Sequence, residues 1–299
     1  MLIEIGICTF RRSEILETLR SVADQSVPEG ARLRVIVAEN DERPAYRDRI
    51  EGCARELGLD LHYVHAPARN ISIARNSCLD AATGDLLLFI DDDECAGPGW
   101  IERLVLTWQA SGAGIVFGPA FAEYPDAAPE WMRSNNFHSN IPTRNKGVVE
   151  TGYSSNVLLD RGDPRVAACR FDLSFGRTGG EDIDFFFRLH RAGVPMTISE
   201  DAAVSEKVSP NRLSFGWVLR RRYMTGAIYG TCAAPDNMTR RVSVMAKAAA
   251  KSGYCGLRAL VAVASRTRCM FWLMRGTFHA GVVAGCIAPP RREVYGGAA

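Results

Sequence analysis

The chain has 299 residues, of which 47% are apolar and 23% charged, with 36 Lys and Arg against 34 Asp and Glu. That composition supports a sizeable core and excludes disordered and fibrous classes, and the length suits one large domain or one domain with an appendage. The near-neutral total hides an asymmetry: residues 1–208 carry 22 basic and 32 acidic side chains (net −10), whereas residues 209–299 carry 14 basic ones against Asp236 and Glu293 (net +12). A basic tail on an acidic body points to an anionic partner, either nucleic acid or the cytoplasmic face of a membrane.

Leu2 to Thr9 is apolar and β-prone, and with its early Glu4 it reads as a buried strand rather than a signal peptide. Ser13 is placed to cap a helix through Leu16, Leu19 and Val22. Leu33–Ala38 is a second strand, 45–57 a polar helix, and Leu61–Val64 a third strand. Ile71 to Ala82 reads as a helix, and Leu86–Ile90 as a fully apolar fourth strand that runs into Asp91-Asp92-Asp93-Glu94. This rhythm predicts an α/β fold with a mostly parallel sheet flanked by helices, and ligands in such sheets sit beyond the carboxyl ends of the strands.

Strands are expected at 115–118 and 157–159, a long Pro- and Asn-rich loop at 124–145, and a short helix from Asp182 to Ala192. In the last ninety residues helices are predicted at 213–229 and 257–278. On the second, Leu260, Val263, Phe271, Met274 and Phe278 share one side, opposite Arg258, Arg266, Arg268 and Arg275. That pattern suits an interfacial membrane helix, and the four arginines argue against a spanning one. The alternative is a helix packed on the catalytic body with a solvated basic face. The nine cysteines are odd in number, scattered and without a CxxC pair, which fits a reducing compartment.

Three groups carry chemistry. Adjacent carboxylates at 91–94 repel one another unless a cation sits among them, and hard oxygen ligands suit Mg2+ or Mn2+. A phosphatase, a nucleotidyltransferase or a sugar transferase would each use such a cluster. Gly179-Gly180-Glu181-Asp182 places carboxylates at a helix start, either as a cap or as a base for an attacking hydroxyl. Arg75, in RNISIARN, is either a phosphate ligand or an ordinary surface arginine.

Taken together, these segments resemble glycosyltransferase family 2 over about residues 2 to 225. ICTFRR, VIVAEND, NISIARN, TGDLLLFIDDDE and GGEDIDFFFRLHRAG follow that family's motif order, with Cys8 where proline is usual and Glu39-Asn40 where Asp-Asp is usual. Within the family the chain is similar to bacterial exopolysaccharide glucosyltransferases of the succinoglycan type. The resemblance implies a GT-A catalytic domain over 1–210, with a nucleotide-binding half at 1–110 and an acceptor half at 111–210. A basic helical, membrane-associating region over 211–299 follows.

By resemblance, Thr9, Phe10, Arg11, Glu39, Asn40 and Arg75 line the nucleotide, Asp92 lies near ribose and diphosphate with Asp91 as the alternative member of the motif, and Asp93 ligates Mn2+ or Mg2+. Asp182 is the expected general base with Glu181 beside it, and Gly152, Asn156 and Gly180 are assigned to donor sugar and acceptor; Trp131, in the stretch with Asn135, Asn136 and His138, belongs either to an acceptor lid or to an ordinary loop. The implied reaction is an inverting transfer of a hexose from a UDP-sugar to a saccharide or lipid-linked saccharide, giving a β-linkage. It would take place at the inner face of the cell membrane, with no nucleic-acid partner. A metal-dependent nucleotidyltransferase, a non-enzymatic membrane-binding protein and an inactive scaffold of this fold are the alternatives.

Overall fold

Seven of the eight residues of the first strand are buried, and the pattern of apolar side chains on both its faces calls for helices on both sides. The computed structural model describes residues 1–233 and 237–288. In chain order the elements are β1 (Leu2–Thr9), α1 (Ile15–Ala23), β2 (Arg32–Glu39), α2 (Arg47–Glu56), β3 (Leu61–His65), α3 (Ile71–Ala81) and β4 (Leu86–Ile90). Next come β5 (Glu94–Ala96), α4 (Trp100–Ser111), β6 (Ile115–Phe117), β7 (Ala120–Glu123), α5 (Glu130–Arg133), β8 (Asn156–Asp160) and α6 (Pro164–Ala168). The chain continues through α7 (Glu181–Arg191), β9 (Met196–Ile198), β10 (Val204–Lys207), α8 (Phe215–Ala233), α9 (Met238–Val261) and α10 (Arg266–Ile287). The helix expected behind Ser13 begins at Ile15, with Glu14 rather than Ser13 at its N-cap.

The chain divides into two compact units, residues 1–121 with 140–206, and residues 122–139 with the described residues from 207 onward. The segment 122–139, read from sequence as part of the acceptor half, belongs to the second unit. Of the helical region expected over 211–299, residues 234–236 and 289–299 lie outside the described residues.

The first unit is built on a seven-stranded sheet of order β3-β2-β1-β4-β8-β6-β9. Strands β3, β2, β1 and β4 run parallel, as β6 and β9 do, and β8 alone runs antiparallel to its neighbours β4 and β6. Two apolar clusters cover its faces, one containing Ile15, Leu19, Trp100 and Leu104, the other Cys78, Phe171, Phe185 and Phe186. Glu4 is a charge inside β1 with no solvent exposure, and it is accommodated because Arg34 and the Gly84 N–H both donate to its carboxylate. In the register Thr9 lies beside Glu39, so the loops after β1, β2 and β4 emerge at one edge of the sheet.

In the second unit the stretch expected as a loop is partly ordered. It holds α5, and His138 is fixed by Tyr124 Oη and the Arg212 carbonyl, each 3.1 Å away, with Trp217 stacked on its ring. The single helix expected over 257–278 is two helices: α9 ends at Val261, α10 starts at Arg266, and the apolar periodicity runs across the break without detecting it. Leu260 and Val263 are accordingly exposed while Met274 is buried, so they do not share a face.

Helix α10 packs on both α8 and α9. Against α8 it packs backbone to backbone, because a Cβ at Gly226 or Gly230 would collide with the α10 main chain and one at Gly281 or Gly285 with that of α8. Among the described residues α10 is the one helix long and apolar enough to cross a membrane by length and composition, and it carries Arg266, Arg268 and Arg275.

Candidate active site

The loop after β1 turns at Arg11, whose φ of 56° is left-handed, and its guanidinium forms a two-pronged ion pair with Asp41 at 2.7 and 2.9 Å. Phe10 lies under the same guanidinium. Thr9 Oγ1 donates to Asp92 at 2.7 Å, which ties the end of β1 to the acidic turn after β4. Arg12, three residues after Thr9, donates to Asp92 at 3.0 Å and also pairs with Asp93. Glu94 closes this turn by accepting from the Asp91 N–H at 3.1 Å.

Burial pushes the Asp92 carboxyl up to about 7, with Arg12 opposing and Asp93 reinforcing the shift. Burial also raises Glu94, with Asp91 adding to the effect. These are the electrostatics of a carboxylate pair that favours a cation, and Arg12 supplies one. Among the described residues no three His, Cys, Asp or Glu are grouped to hold a metal. Asp92 and Asp93, brought together on Arg12, would fit a hard divalent ion that took its remaining ligands from substrate phosphate and water.

At the end of β2, Glu39 and Asn40 are fully buried. Tyr63 Oη and the Tyr46 N–H donate to Glu39 at 2.5 and 3.2 Å, and Asn40 accepts from the Asn70 N–H at 2.7 Å and donates to the Ala66 carbonyl. Both residues therefore hold neighbouring segments of the site.

Helix α3 joins this edge to the acidic helix α7. Asn70 caps α3 and donates to the Leu173 carbonyl, Ser72 donates to the Asp172 carbonyl, and Asn76 exchanges two hydrogen bonds with Phe171. The strap 171–176 is thus fastened along α3, and it leads into Gly179 and Gly180, whose φ values of 79° and 96° are left-handed. Helix α7 starts there, and Glu181 arrives against Arg75.

Arg75 is buried, pairs with Glu181, and lies 3.5 Å from Asp91. Burial works against its charge, but Glu181 and Asp91 hold it protonated. One oxygen of Glu181 is buried without a hydrogen-bond partner in the fold. Asp182 accepts from the Ile183 N–H at 2.7 Å, and burial together with the Glu181 charge pushes its carboxyl up to about 7.

Thr9, Phe10, Arg11, Glu39, Asn40, Arg75, Asp91, Asp92, Asp93, Gly180, Glu181 and Asp182 thus form one connected network of contacts and chain turns. Asn156 is buried, with Trp100 Nε1 donating to its oxygen and its amide bonded to the Pro119 and Ala202 carbonyls. Gly152 is there because any side chain would strike the Phe117 ring. Trp131 belongs to the second unit, buried with Met132, Phe137, Val218 and Met274. Arg12 and Asp41 were not singled out from the sequence. Arg12 is the second arginine of ICTFRR, and its two carboxylate partners lie 80 and 81 positions away.

The sequence model described as Glycosyl transferase family 2 matches residues 4–161. The succinoglycan biosynthesis protein ExoM of Rhizobium meliloti (strain 1021) is 46% identical over 295 residues, covering 98% of this chain and 96% of that protein. The chain belongs to glycosyl transferase family 2. Its fold is that of GT-A glycosyltransferases. The mannosyltransferase PcManGT of Pyrobaculum calidifontis, solved with GDP-Man and Mn2+, superimposes with a TM-score of 0.61 at 15% identity over 94% of this chain and 86% of that one. TarS of S. aureus (residues 1–349), solved with UDP-GlcNAc, gives 0.55 at 13% identity over 94% and 91%. This family 2 chain is therefore a glycosyltransferase, and the network from Thr9 to Asp182 lies largely within the matched region, with α7 beyond its end.

Proposed function

We propose that the protein transfers a hexose from a UDP-sugar, with inversion, to a saccharide or lipid-linked saccharide in exopolysaccharide assembly of the succinoglycan kind, working at the cytoplasmic face of the membrane. One observation carries the reading: Arg75 joins the acidic turn after β4 to the start of α7, so a diphosphate-binding edge and a candidate base border one site. Phe10, Arg11 and Arg75 are assigned to the nucleotide diphosphate, with Thr9 and Arg12 holding Asp92 and Asp93 in place. Asp92 and Asp93 would hold a divalent cation, which neutralises the leaving diphosphate when bound.

The acceptor hydroxyl gives its proton to Asp182. Its oxygen bonds to the anomeric carbon while the bond from that carbon to the diphosphate oxygen breaks on the opposite face. Nucleoside diphosphate leaves, and an α-linked donor yields a β-linked product. Asp182 is suited to this because a carboxyl raised to about 7 is a stronger base than an ordinary aspartate. Neighbours of the same fold were solved with UDP-GlcNAc (TarS) and with GDP-Man (PcManGT), which supports a nucleoside-diphosphate sugar as donor, and the ExoM likeness, which covers nearly the whole chain, supports the succinoglycan setting.

The test is a panel of nucleotide sugars offered with Mn2+ and extracted lipid-linked saccharide. Release of nucleoside diphosphate and a β-anomeric product are expected. Release of pyrophosphate, or an α-anomeric product, would refute the reading.

A further inference from the structure

The break between α9 and α10 leaves four aliphatic side chains in water. Leu257, Leu260, Val261 and Val263 are 66, 73, 81 and 74% exposed, side by side in sequence at one helical corner. Single exposed leucines are ordinary, but a cluster at a corner marks a contact surface. Its surroundings give the chemistry of the partner. Residues 238–288 contain eight Lys and Arg and no Asp or Glu.

Exposed Arg258, Arg266 and Arg268 flank the corner. Arg266 and Arg268 stand in the first turn of α10, where no acidic residue offsets the positive end of the helix. One turn back, Arg258 lies 4.8 Å from the Trp272 ring centre, and Tyr254 meets Trp272 edge-on at 5.7 Å. An apolar tip, a collar of arginines and a Tyr–Trp pair at the collar's level match the cross-section of a lipid leaflet from acyl chain to phosphate.

We propose that the α9–α10 corner is the membrane anchor of this enzyme. Its four aliphatic side chains enter the acyl boundary of an anionic leaflet, and Arg258, Arg266 and Arg268 bind lipid phosphates. The inference rests on the membrane reading above and narrows it to one corner. It differs from the face predicted by the sequence, because Met274 of that face is buried in the second unit. The anchor is monotopic: α10 is packed against α8 through glycine backbones and against α9 on another side, and it presents the corner rather than itself to lipid.

Flotation of the full-length protein with phosphatidylcholine vesicles, with and without phosphatidylglycerol, tests this. Wild type is expected to float with the anionic vesicles only, less so at high salt, and to be released by alkaline carbonate. Replacing Leu257, Leu260, Val261 and Val263 together with Ser should lower partitioning at least tenfold while nucleotide-diphosphate release in the absence of vesicles stays unchanged. An independent variant, R266A/R268A, should lose about fivefold per arginine and show a shallower salt dependence.

If both variants float as wild type does, the corner is not the anchor, although membrane binding stands. If wild type does not float, the membrane reading fails together with the anchor. Resistance to carbonate would mean that α10 spans the bilayer and would overturn the proposal. A Ser variant that changes only sedimentation in solution would reassign the corner to a second copy of the chain.

Discussion

Arg75 and Glu181 are 106 residues apart in the chain and form a buried ion pair, with Asp91 3.5 Å from the other guanidinium nitrogen. The pair is where the turn after β4 and the start of α7 meet, so its loss is expected to have two effects. Arg75→Gln leaves Glu181 buried without a counter-charge and should cost about 3–5 kcal/mol in denaturant unfolding. The double variant Arg75→Gln with Glu181→Gln should recover part of that stability while activity stays low. Equal destabilisation by single and double variants would show that the pair does not act as a unit.

As the proposed base, Asp182 is expected to set the pH response. Its carboxyl is raised to about 7, so the proton-accepting form grows as pH rises through that value, and kcat should rise with it. The sign for stability is opposite: a carboxyl raised in the folded state favours folding at low pH, and that contribution is lost as pH climbs through about 7. Asp182→Asn should lower kcat by about 10²–10⁴-fold and flatten the pH profile, with nucleotide affinity retained. A pH profile unchanged in Asp182→Asn would remove Asp182 from the role of base.

Asp93 pairs with Arg12 and is assigned to the cation. In Asp93→Asn, the concentration of Mn2+ needed for half-maximal stabilisation by nucleoside diphosphate should rise at least tenfold, read as a thermal shift. Unchanged Mn2+ dependence would place the ion elsewhere.

Glu4 serves as the contrast. It is unexposed inside β1, bound by Arg34 and the Gly84 N–H. Glu4→Gln should lower stability by about 2–3 kcal/mol, less than a wholly enclosed pair because Arg34 keeps some exposure, and should leave KM for the donor unchanged. A KM effect would indicate that the sheet transmits strain to its carboxyl edge.

The alternation of strand and helix was readable because periodicity and apolar runs are local properties, and β1 through β4 with α3 fall within a residue or two of their expected bounds. The acidic turn and the Gly-Gly-Glu-Asp start were readable for the same reason, as each is a short run whose chemistry is in its letters. What the sequence concealed was pairing at a distance. Nothing local distinguishes Arg12, bound to Asp92 and Asp93, from Arg11, bound to Asp41. Nor does the family's acidic position after β2 reveal that Glu39 bonds inward to Tyr63 and Tyr46. The break between α9 and α10 is hidden in the sequence because 262–265 contains no Pro or Gly, the usual marks of a break, whereas the helix expected over 213–229 is present as α8.

The strap 171–176 is laced to α3 at Asn70, Ser72 and Asn76, on the helix that also bears Arg75. The two walls of the proposed site are therefore stitched together in the fold itself. Moving them apart like jaws would require undoing several hydrogen bonds at once. Loosening the lacing, as Asn76→Ala would, is expected to trade this fixed alignment for slack between the proposed base and the proposed diphosphate-binding edge.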